Sequence, residues 1–312
     1  MTDQHTGSGR TAPVGDDHEE RMITVNGVEL CLQSFGGTDA PPILMIGNSM
    51  PNWPAELCQR LAEEGPRFVI RYDLRDTGRS TTMDPDAPQY TLRDLVADVP
   101  GLLGALDLPR AHVVGFGVGG WIAQLVGLDH PDRVVTLTLV ATRPTAPGPN
   151  DPDLPEHSPA LMSHLMSAPE PDWGDRASVV EYMVETGRRY AGSGQYPEAE
   201  VRETAGRIFD RTRAIAPGSA DLPKRHRANQ LATTFAALDS GERWRERLGD
   251  ITAPTLVIHG AEDPFFPFGN AEALAKEIPR SELLSLPATG QELPRRDWDT
   301  IVEAVLRHTS TG

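Results

Sequence analysis

Several features are scarce or absent in this chain of 312 residues, and each absence narrows what the protein can be. There is no run of 18 or more apolar residues, so we expect no membrane-spanning helix. The two cysteines, Cys31 and Cys58, are too few for a disulfide framework or a cysteine zinc site, and we expect both to be buried. Acidic residues outnumber lysine and arginine by 45 to 29, giving a net charge of −16. That charge repels phosphate backbones and argues against a nucleic-acid partner.

The N-terminal twenty residues are polar and acidic and show no basic-then-apolar signal pattern. We expect residues 1–20 to form a disordered leader and the protein to be cytoplasmic. Hydrophobic residues make up 38% of the chain. This composition suits one large α/β domain with an insertion, or two modest domains.

Patterns typical of strands and helices alternate along most of the chain. A hairpin is predicted over 22–33, with its turn at Asn26-Gly27. Short apolar runs predict buried strands at 43–46, 68–70, 112–114, 134–140, 255–258 and 283–286. Helical periodicity is found at 54–64, at 92–106, directly after Gly120, and at 298–306. This alternation predicts a mostly parallel sheet with helices on both faces.

The composition changes after the strand at 134–140. Residues 143–155 are rich in Pro, Asp and Gly, which is typical of a linker, and the pattern from 158 to 240 is helical only. We therefore predict a core formed by 21–144 and 246–312, with a helical lid over 145–245.

A glycine-rich turn, Gly115-Phe116-Gly117-Val118-Gly119-Gly120, joins a predicted strand to a predicted helix. Such a turn serves either as a phosphate cradle or as the nucleophile elbow of a hydrolase. A dinucleotide motif belongs after the first strand, whereas this turn follows a later one. We therefore favour the elbow and expect neither a cofactor nor a metal.

Four further segments carry a resemblance to a known family: 72–82, 111–115, 129–134 and 255–260. From about Met22 onward the chain resembles the α/β-hydrolase fold superfamily, especially actinomycete esterases related to aclacinomycin methylesterase. The resemblance implies an α/β-hydrolase fold with a helical lid. Because those esterases act on polyketide aglycones, it also implies a bulky, apolar, polyketide-like ligand.

The family's catalytic positions can be carried over to this sequence. The resemblance places the triad acid at Asp263, the nucleophilic serine at Gly117 and the histidine at Gln291. Glycine cannot form a covalent intermediate, and glutamine takes up no proton near neutral pH. Loss of one such residue costs about a millionfold in kcat where it has been measured, so we expect no ordinary serine-hydrolase activity.

A polarising pocket is still expected at the elbow. The Val118 N–H, at a helix start, favours an anion or a carbonyl oxygen, and the loop 47–53 should supply a second donor. We expect Gln291 to donate to Asp263, either as a plug for the histidine site or as a ligand contact. Asp263 itself is either structural or a general base. The side chains expected to contact ligand are Asn48, Ser49, Trp53, Phe116, Met162, Met166 and Phe209, with Met183 and Phe235 as further lid candidates.

Three functional hypotheses follow, with a monomer or homodimer expected in each. The first is a non-hydrolytic, cofactor-free enzyme that acts on an apolar metabolite by cyclisation, isomerisation or elimination. The second is a non-catalytic binding protein for the same kind of ligand. The third is an esterase with a relocated nucleophile, in which Ser49 would act with His157 or His164 as the base. The alternative, which we favour, is that each of the three is an ordinary packed or solvated residue.

Overall fold

The computed structural model describes residues 19–146, 151–215, 217–233 and 237–310. The predicted leader, apart from its last two residues, and Phe235 lie outside the described residues. The strands are β1 Arg21–Val25, β2 Val28–Phe35, β3 Pro42–Ile46, β4 Phe68–Tyr72, β5 Ala111–Phe116, β6 Val134–Val140, β7 Thr255–Gly260 and β8 Ser281–Leu286. The helices are α1 Ala55–Glu64, α2 Leu92–Ala105, α3 Val118–Asp129, α4 Pro159–Ser167, α5 Arg176–Tyr190, α6 Glu198–Ile215, α7 Leu222–Leu231, α8 Gly269–Glu277 and α9 Trp298–Thr309.

One sheet of eight strands forms the centre, in the order β1-β2-β4-β3-β5-β6-β7-β8. The strand β2 runs antiparallel to β1 and β4, and every pairing from β4 to β8 is parallel. The hairpin turn lies at Asn26 and Gly27, both with positive φ, as the sequence predicted. The prediction of a mostly parallel α/β sheet is therefore confirmed.

Helices cover both faces of the sheet, because its central strands are apolar on both sides. On one face, α2, α3 and α8 bury apolar side chains against the strands. On the other, α1 and α9 do so through residues such as Leu57 and Trp298. Both cysteines are buried, as expected, and burial raises the pKa of Cys31 to about 12 and that of Cys58 to about 11. Both therefore remain neutral thiols.

The helices α4 to α7 lie between β6 and β7 in the chain, and we refer to them as the lid helices. They have a small apolar cluster of their own, which includes Trp173, Val179 and Phe209. Among the described residues, every helix is too short or too polar to traverse a lipid bilayer. The carboxyl ends of β3, β4, β5 and β7 point to one edge of the sheet, because these strands are parallel. The loops that follow them are thereby brought together.

Candidate active site

The turn between β5 and α3 has the strained backbone of a nucleophile elbow. Gly117 has φ +55° and ψ −116°, a conformation that side-chain-bearing residues rarely adopt. Nearby glycines allow close packing, since a Cβ on Gly119 would lie 2.1 Å from the Ile46 carbonyl oxygen. A Cβ at Gly117 would meet one neighbouring atom within 4 Å, the Gln291 Nε2 at 3.5 Å. The elbow geometry is therefore present, with space where a nucleophile's side chain would begin.

Val118 is the first residue of α3, so its N–H has no acceptor within the helix. The Gly117 carbonyl oxygen accepts from Thr142 Oγ1 at 2.7 Å and from the Gly120 N–H at 3.0 Å. These bonds fix the peptide that carries the Val118 N–H. The helix start adds a partial positive charge there, which favours a polarised carbonyl oxygen.

The side chain of Gln291 has a different partner from the one that the sequence suggested. Its Nε2 donates to the Ala141 carbonyl oxygen at 2.8 Å, and its backbone N–H donates to the Tyr190 carbonyl oxygen at 2.9 Å. The expected bond from Gln291 to Asp263 was wrong, because this single amide group is turned towards the end of β6. The Gln291 Oε1 atom is buried and accepts no hydrogen bond from the described residues.

Asp263 is turned towards its own loop. Its Oδ1 accepts the N–H groups of Phe265 at 2.8 Å and Phe266 at 2.9 Å. Its Oδ2 lies 3.2 Å from Nε2 of His259, which in turn lies 2.7 Å from the Phe266 carbonyl oxygen. This arrangement favours the structural interpretation of Asp263 over that of a general base aimed at the elbow.

The loop 47–53 packs beside the elbow, and most of its N–H groups are already bonded. Ser49 N–H donates to Asn52 Oδ1 at 2.8 Å and Met50 N–H to Asp73 Oδ1 at 2.8 Å, while the N–H groups of Asn52 and Trp53 bond within the loop. Pro51 has no N–H. Within this loop, the N–H groups of Gly47 and Asn48 therefore remain as the candidates for the second donor that the sequence predicted.

The four contact residues predicted in this region have different surroundings. Ser49 is 1% exposed, and its Oγ donates to Asn52 Oδ1 at 3.3 Å. The ring of Trp53 is buried and lies edge-on to that of Phe116, with centroids 6.0 Å apart. Asn48 is buried and donates through its side chain to the lid helix α7.

The lid candidates divide into packed and exposed residues. Met166 is 84% exposed, so it does not line an enclosed cavity, because α4 turns only Leu161 fully inward. Phe209 is buried in the lid's own cluster, with its ring stacked 3.8 Å from that of His226. Met162 is half-buried on α4, and Met183 packs at the edge of the same cluster as Phe209.

Among the described residues, neither candidate base in the lid makes a hydrogen bond to Ser49 or to the elbow. The ring of His157 stacks on that of Phe265, with centroids 4.7 Å apart, and its Nδ1 bonds to the Phe265 carbonyl oxygen. His164 is half-buried on α4, with its Nε2 buried away from any acceptor of the described chain. Within the described residues, no group of three or more His, Cys, Asp or Glu side chains could hold a metal ion.

Some residues that shape the site were not anticipated. The carbonyl of Ala141, a residue with φ +46°, holds Gln291. Arg71 is buried beneath the loop 47–53, where it donates to the carbonyl oxygens of Met50 and Trp53 and to Gln33 Oε1. Burial lowers the pKa of Arg71. The one available signal was a charged residue inside the otherwise apolar strand 68–72.

Comparisons with known proteins identify the family of this fold. A family model described as the α/β-hydrolase fold matches residues 31–293. The chain is 32% identical over 308 residues to the rhodomycin D methylesterase DauP of a Streptomyces species, covering 93% of this chain and 97% of that protein. It is also 32% identical over 264 residues to the putative carbamate hydrolase RutD of Variovorax paradoxus, covering 82% of this chain and 86% of that protein.

Solved structures show the same fold at lower identity. A 2-hydroxy-6-oxo-6-phenylhexa-2,4-dienoate hydrolase from a Rhodococcus species matches with a TM-score of 0.70 at 17% identity, covering 94% of this chain and 98% of that chain. An enol-lactonase from Burkholderia xenovorans matches with a TM-score of 0.65 at 22% identity, covering 93% and 100%. By its sequence and by its architecture, this chain belongs to the α/β-hydrolase fold family.

Proposed function

We propose that this protein is a non-hydrolytic, cofactor-free member of its family that acts on a bulky apolar carbonyl compound by cyclisation, isomerisation or elimination. One observation carries the proposal. The elbow backbone at Gly117 keeps its strained conformation and its helix start, while the side chains at 117 and 291 supply neither a nucleophile nor a base.

The chemistry would rest on backbone N–H groups. The N–H of Val118 and that of Gly47 or Asn48 would donate to a ligand carbonyl oxygen. These bonds strengthen as negative charge develops on the oxygen, which lowers the barrier to attack or to enolisation without a covalent intermediate. The protein would add positioning of the ligand's own reacting groups. Donation of this kind needs no cofactor.

The ligand class is supported by similarity alone. The rhodomycin D methylesterases DauP and DnrP match at 32% and 31% identity over nearly their whole length, and both belong to the kind of esterase that the sequence resembles. We therefore propose a polyketide-like secondary metabolite as the ligand. A cytoplasmic location and a monomeric or homodimeric state stay predictions of the sequence.

A second candidate is a non-catalytic protein that binds the same ligand. The specific observation in its favour is the hydrogen bonding of Asp263, whose Oδ1 already accepts two backbone N–H groups. The group nearest to the missing side chain of residue 117 is the neutral amide of Gln291. A site with no base close to the elbow can bind a carbonyl without moving a proton.

The test of lost hydrolysis compares four proteins on the same activated esters and polyketide methyl esters. These are the wild type, Gly117→Ser, Gln291→His and the double variant. We expect hydrolysis only from the double variant, at least about 100-fold above wild type, because triad residues act as a unit. Asp263 Oδ2 makes no hydrogen bond of good geometry and could orient the new histidine.

Adding Asp263→Asn to the double variant is the matched control. It should abolish the restored hydrolysis if the introduced histidine works through Asp263. A wild type that hydrolyses these esters as fast as the double variant would overturn the proposal. If the wild type is silent, turnover of carbonyl-bearing polyketides would identify an enzyme, and saturable binding without turnover would favour the binding protein.

A further inference from the structure

The loop 47–53 is tied to the lid helices α6 and α7 as well as to the sheet. We propose that α6 and α7 position this loop, with Asn229 and Arg211 as positioning residues that set where its donor N–H groups lie. The inference rests on the proposed function, in which one of those N–H groups polarises a ligand carbonyl. It assigns part of the lid to the construction of the site rather than to covering it.

The first tie is made by Asn48, one of the two residues whose backbone N–H is a candidate for the loop's donor. Its side-chain Nδ2 donates to the carbonyl oxygens of Ala228 at 3.3 Å and Asn229 at 3.1 Å. Both carbonyls belong to the last turn of α7, and that of Ala228 also accepts the N–H of Ala232, the residue that caps the helix, at 2.9 Å. The Asn48 carbonyl oxygen accepts from Thr77 Oγ1 at 2.8 Å. Asn48 is therefore held between the core and the end of α7.

The second tie is the side chain of Asn229, which is 2% exposed. Its Oδ1 accepts the N–H of Gly78 at 3.0 Å, in the loop that follows β4. Its Nδ2 donates to Thr212 Oγ1 at 2.7 Å, on α6. One amide thus joins α7, α6 and the core.

The third tie is a carboxylate shared by the loop and the lid. Asp73 is fully buried, and its two oxygens accept the N–H groups of Met50 at 2.8 Å and Arg79 at 2.9 Å. The same oxygens accept from the guanidinium of Arg211, on α6, at 3.0 Å and 2.6 Å. Glu20 also accepts from Arg211. Fork-shaped contacts of this kind are strong and directional.

These ties have one consequence together. Moving α6 and α7 away from the sheet would break the hydrogen bonds that Asn48, Gly78 and Asp73 make to these helices. A buried bond of this kind shifts a local opening equilibrium by about tenfold or more when it is removed. The loop's donor geometry is therefore complete only while α6 and α7 are docked.

Hydrogen exchange of the full-length protein tests this without a known ligand. Amide exchange of the segment 44–53 would be measured in the wild type, in Asn229→Ala and in Gln230→Ala. Gln230 is the matched control, because it lies beside Asn229 on α7 but bonds within the lid, to the Ala205 carbonyl oxygen at 2.8 Å. We expect about tenfold faster exchange of the loop amides in Asn229→Ala, and wild-type exchange there in Gln230→Ala.

A second variant keeps the test decisive if Asn229→Ala does not fold. Arg211→Lys keeps the positive charge but loses the fork, and should speed exchange of the Met50 amide in particular. Loop exchange that stays at the wild-type rate while α7 itself exchanges faster would overturn the inference. The result is independent of the ester assay, so a wild type that hydrolyses esters would defeat the proposed function and leave this measurement standing.

If the double variant Gly117→Ser/Gln291→His hydrolyses esters, it offers a second readout. Asn229→Ala in that background should lower kcat about tenfold and leave KM within about twofold. A misplaced donor reduces the stabilisation of the transition state more than it reduces the binding of the substrate. A change confined to KM would contradict a positioning role.

Discussion

Gln291 donates its side-chain amide to the carbonyl oxygen of Ala141 over 2.8 Å. The same nitrogen lies 3.5 Å from the point where a side chain at Gly117 would begin. The two positions at which the family's nucleophile and base are expected are therefore neighbours in space, although 174 residues separate them in the numbering of the chain. The glutamine amide is held in place by the end of β6 and does not depend on a hydroxyl at residue 117.

The backbone of Gly117 gives the first prediction. Its φ of +55° disfavours any side chain, whereas the nearest atom to an added Cβ is at an ordinary contact distance. We expect Gly117→Ala to lower the free energy of unfolding by about 1–2 kcal/mol, from backbone strain alone. Urea unfolding at neutral pH would measure it.

Two other glycines serve as controls for Gly117→Ala. Gly27 has φ +80° and no atom near an added Cβ, so Gly27→Ala should cost a similar amount. Gly104 lies in α2 with equally open space and no positive φ, so Gly104→Ala should be neutral or stabilising by about 0.5–1 kcal/mol. A Gly117→Ala protein as stable as Gly104→Ala would contradict a strained elbow.

The second prediction concerns Ser49 as a relocated nucleophile. Its Oγ is buried and donates to Asn52 Oδ1 rather than to a base. We expect Ser49→Ala to leave any residual ester hydrolysis by the wild type unchanged and to destabilise the fold by about 1 kcal/mol, from the lost hydrogen bond. Hydrolysis that disappears in Ser49→Ala, with the thermal unfolding midpoint little changed, would restore the relocated-nucleophile hypothesis.

The sequence predicted those parts of the molecule that depend on local patterns. The strand 134–140 was placed to the residue, and the hairpin turn at Asn26-Gly27 follows from two residues that tolerate positive φ. The elbow was predicted because its four glycines lie within six consecutive residues, 115–120. The contacts of Asp263 with the N–H groups two and three residues later are also local, and are typical of aspartate at a turn.

Contacts between distant segments could not be predicted in the same way. The partner of Gln291 depends on Ala141 adopting φ +46° at the end of β6, which no periodicity encodes. The bond from Asn48 to Asn229 spans 181 residues. Met166 was expected inside because it follows Met162 at helical spacing, but α4 is a surface helix that buries one side chain fully. The periodicity of apolar residues predicts which face of a helix is apolar, but tertiary packing decides how much of that face is buried.

The third prediction concerns acid stability and His226. Burial, with a smaller contribution from the charge of Arg213, lowers the pKa of His226 to about 4, from 6.5. The unfolded chain therefore binds a proton more readily than the folded protein between these values. The neutral histidine contributes stability above pH 6.5, and this contribution is lost as the pH falls towards 4.

Replacing His226 by phenylalanine should remove that dependence while keeping a ring stacked on Phe209. As the pH is lowered from 6.5 to 4, we expect the free energy of unfolding to fall less steeply for His226→Phe than for the wild type. The difference in slope should correspond to at most one bound proton. Burial also lowers the pKa of His112, to about 4, and that of His308; both remain in the two proteins and contribute to the residual slope. Parallel curves for the two proteins would show that His226 does not titrate as stated.

The fourth prediction concerns the ion pair that holds the loop after β4. Arg75 donates twice to Asp98, over 2.7 Å to each carboxylate oxygen, and the two side chains are 9% and 2% exposed. Breaking a buried pair strands the remaining charge, so Asp98→Asn should cost about 3–5 kcal/mol of unfolding free energy. The control is Asp210→Asn, whose pair with Arg176 is about half exposed on both sides and should cost about 0–1 kcal/mol. Equal losses in urea unfolding would mean that burial does not decide the contribution of these pairs, and that the loop after β4 is held by its backbone bonds instead.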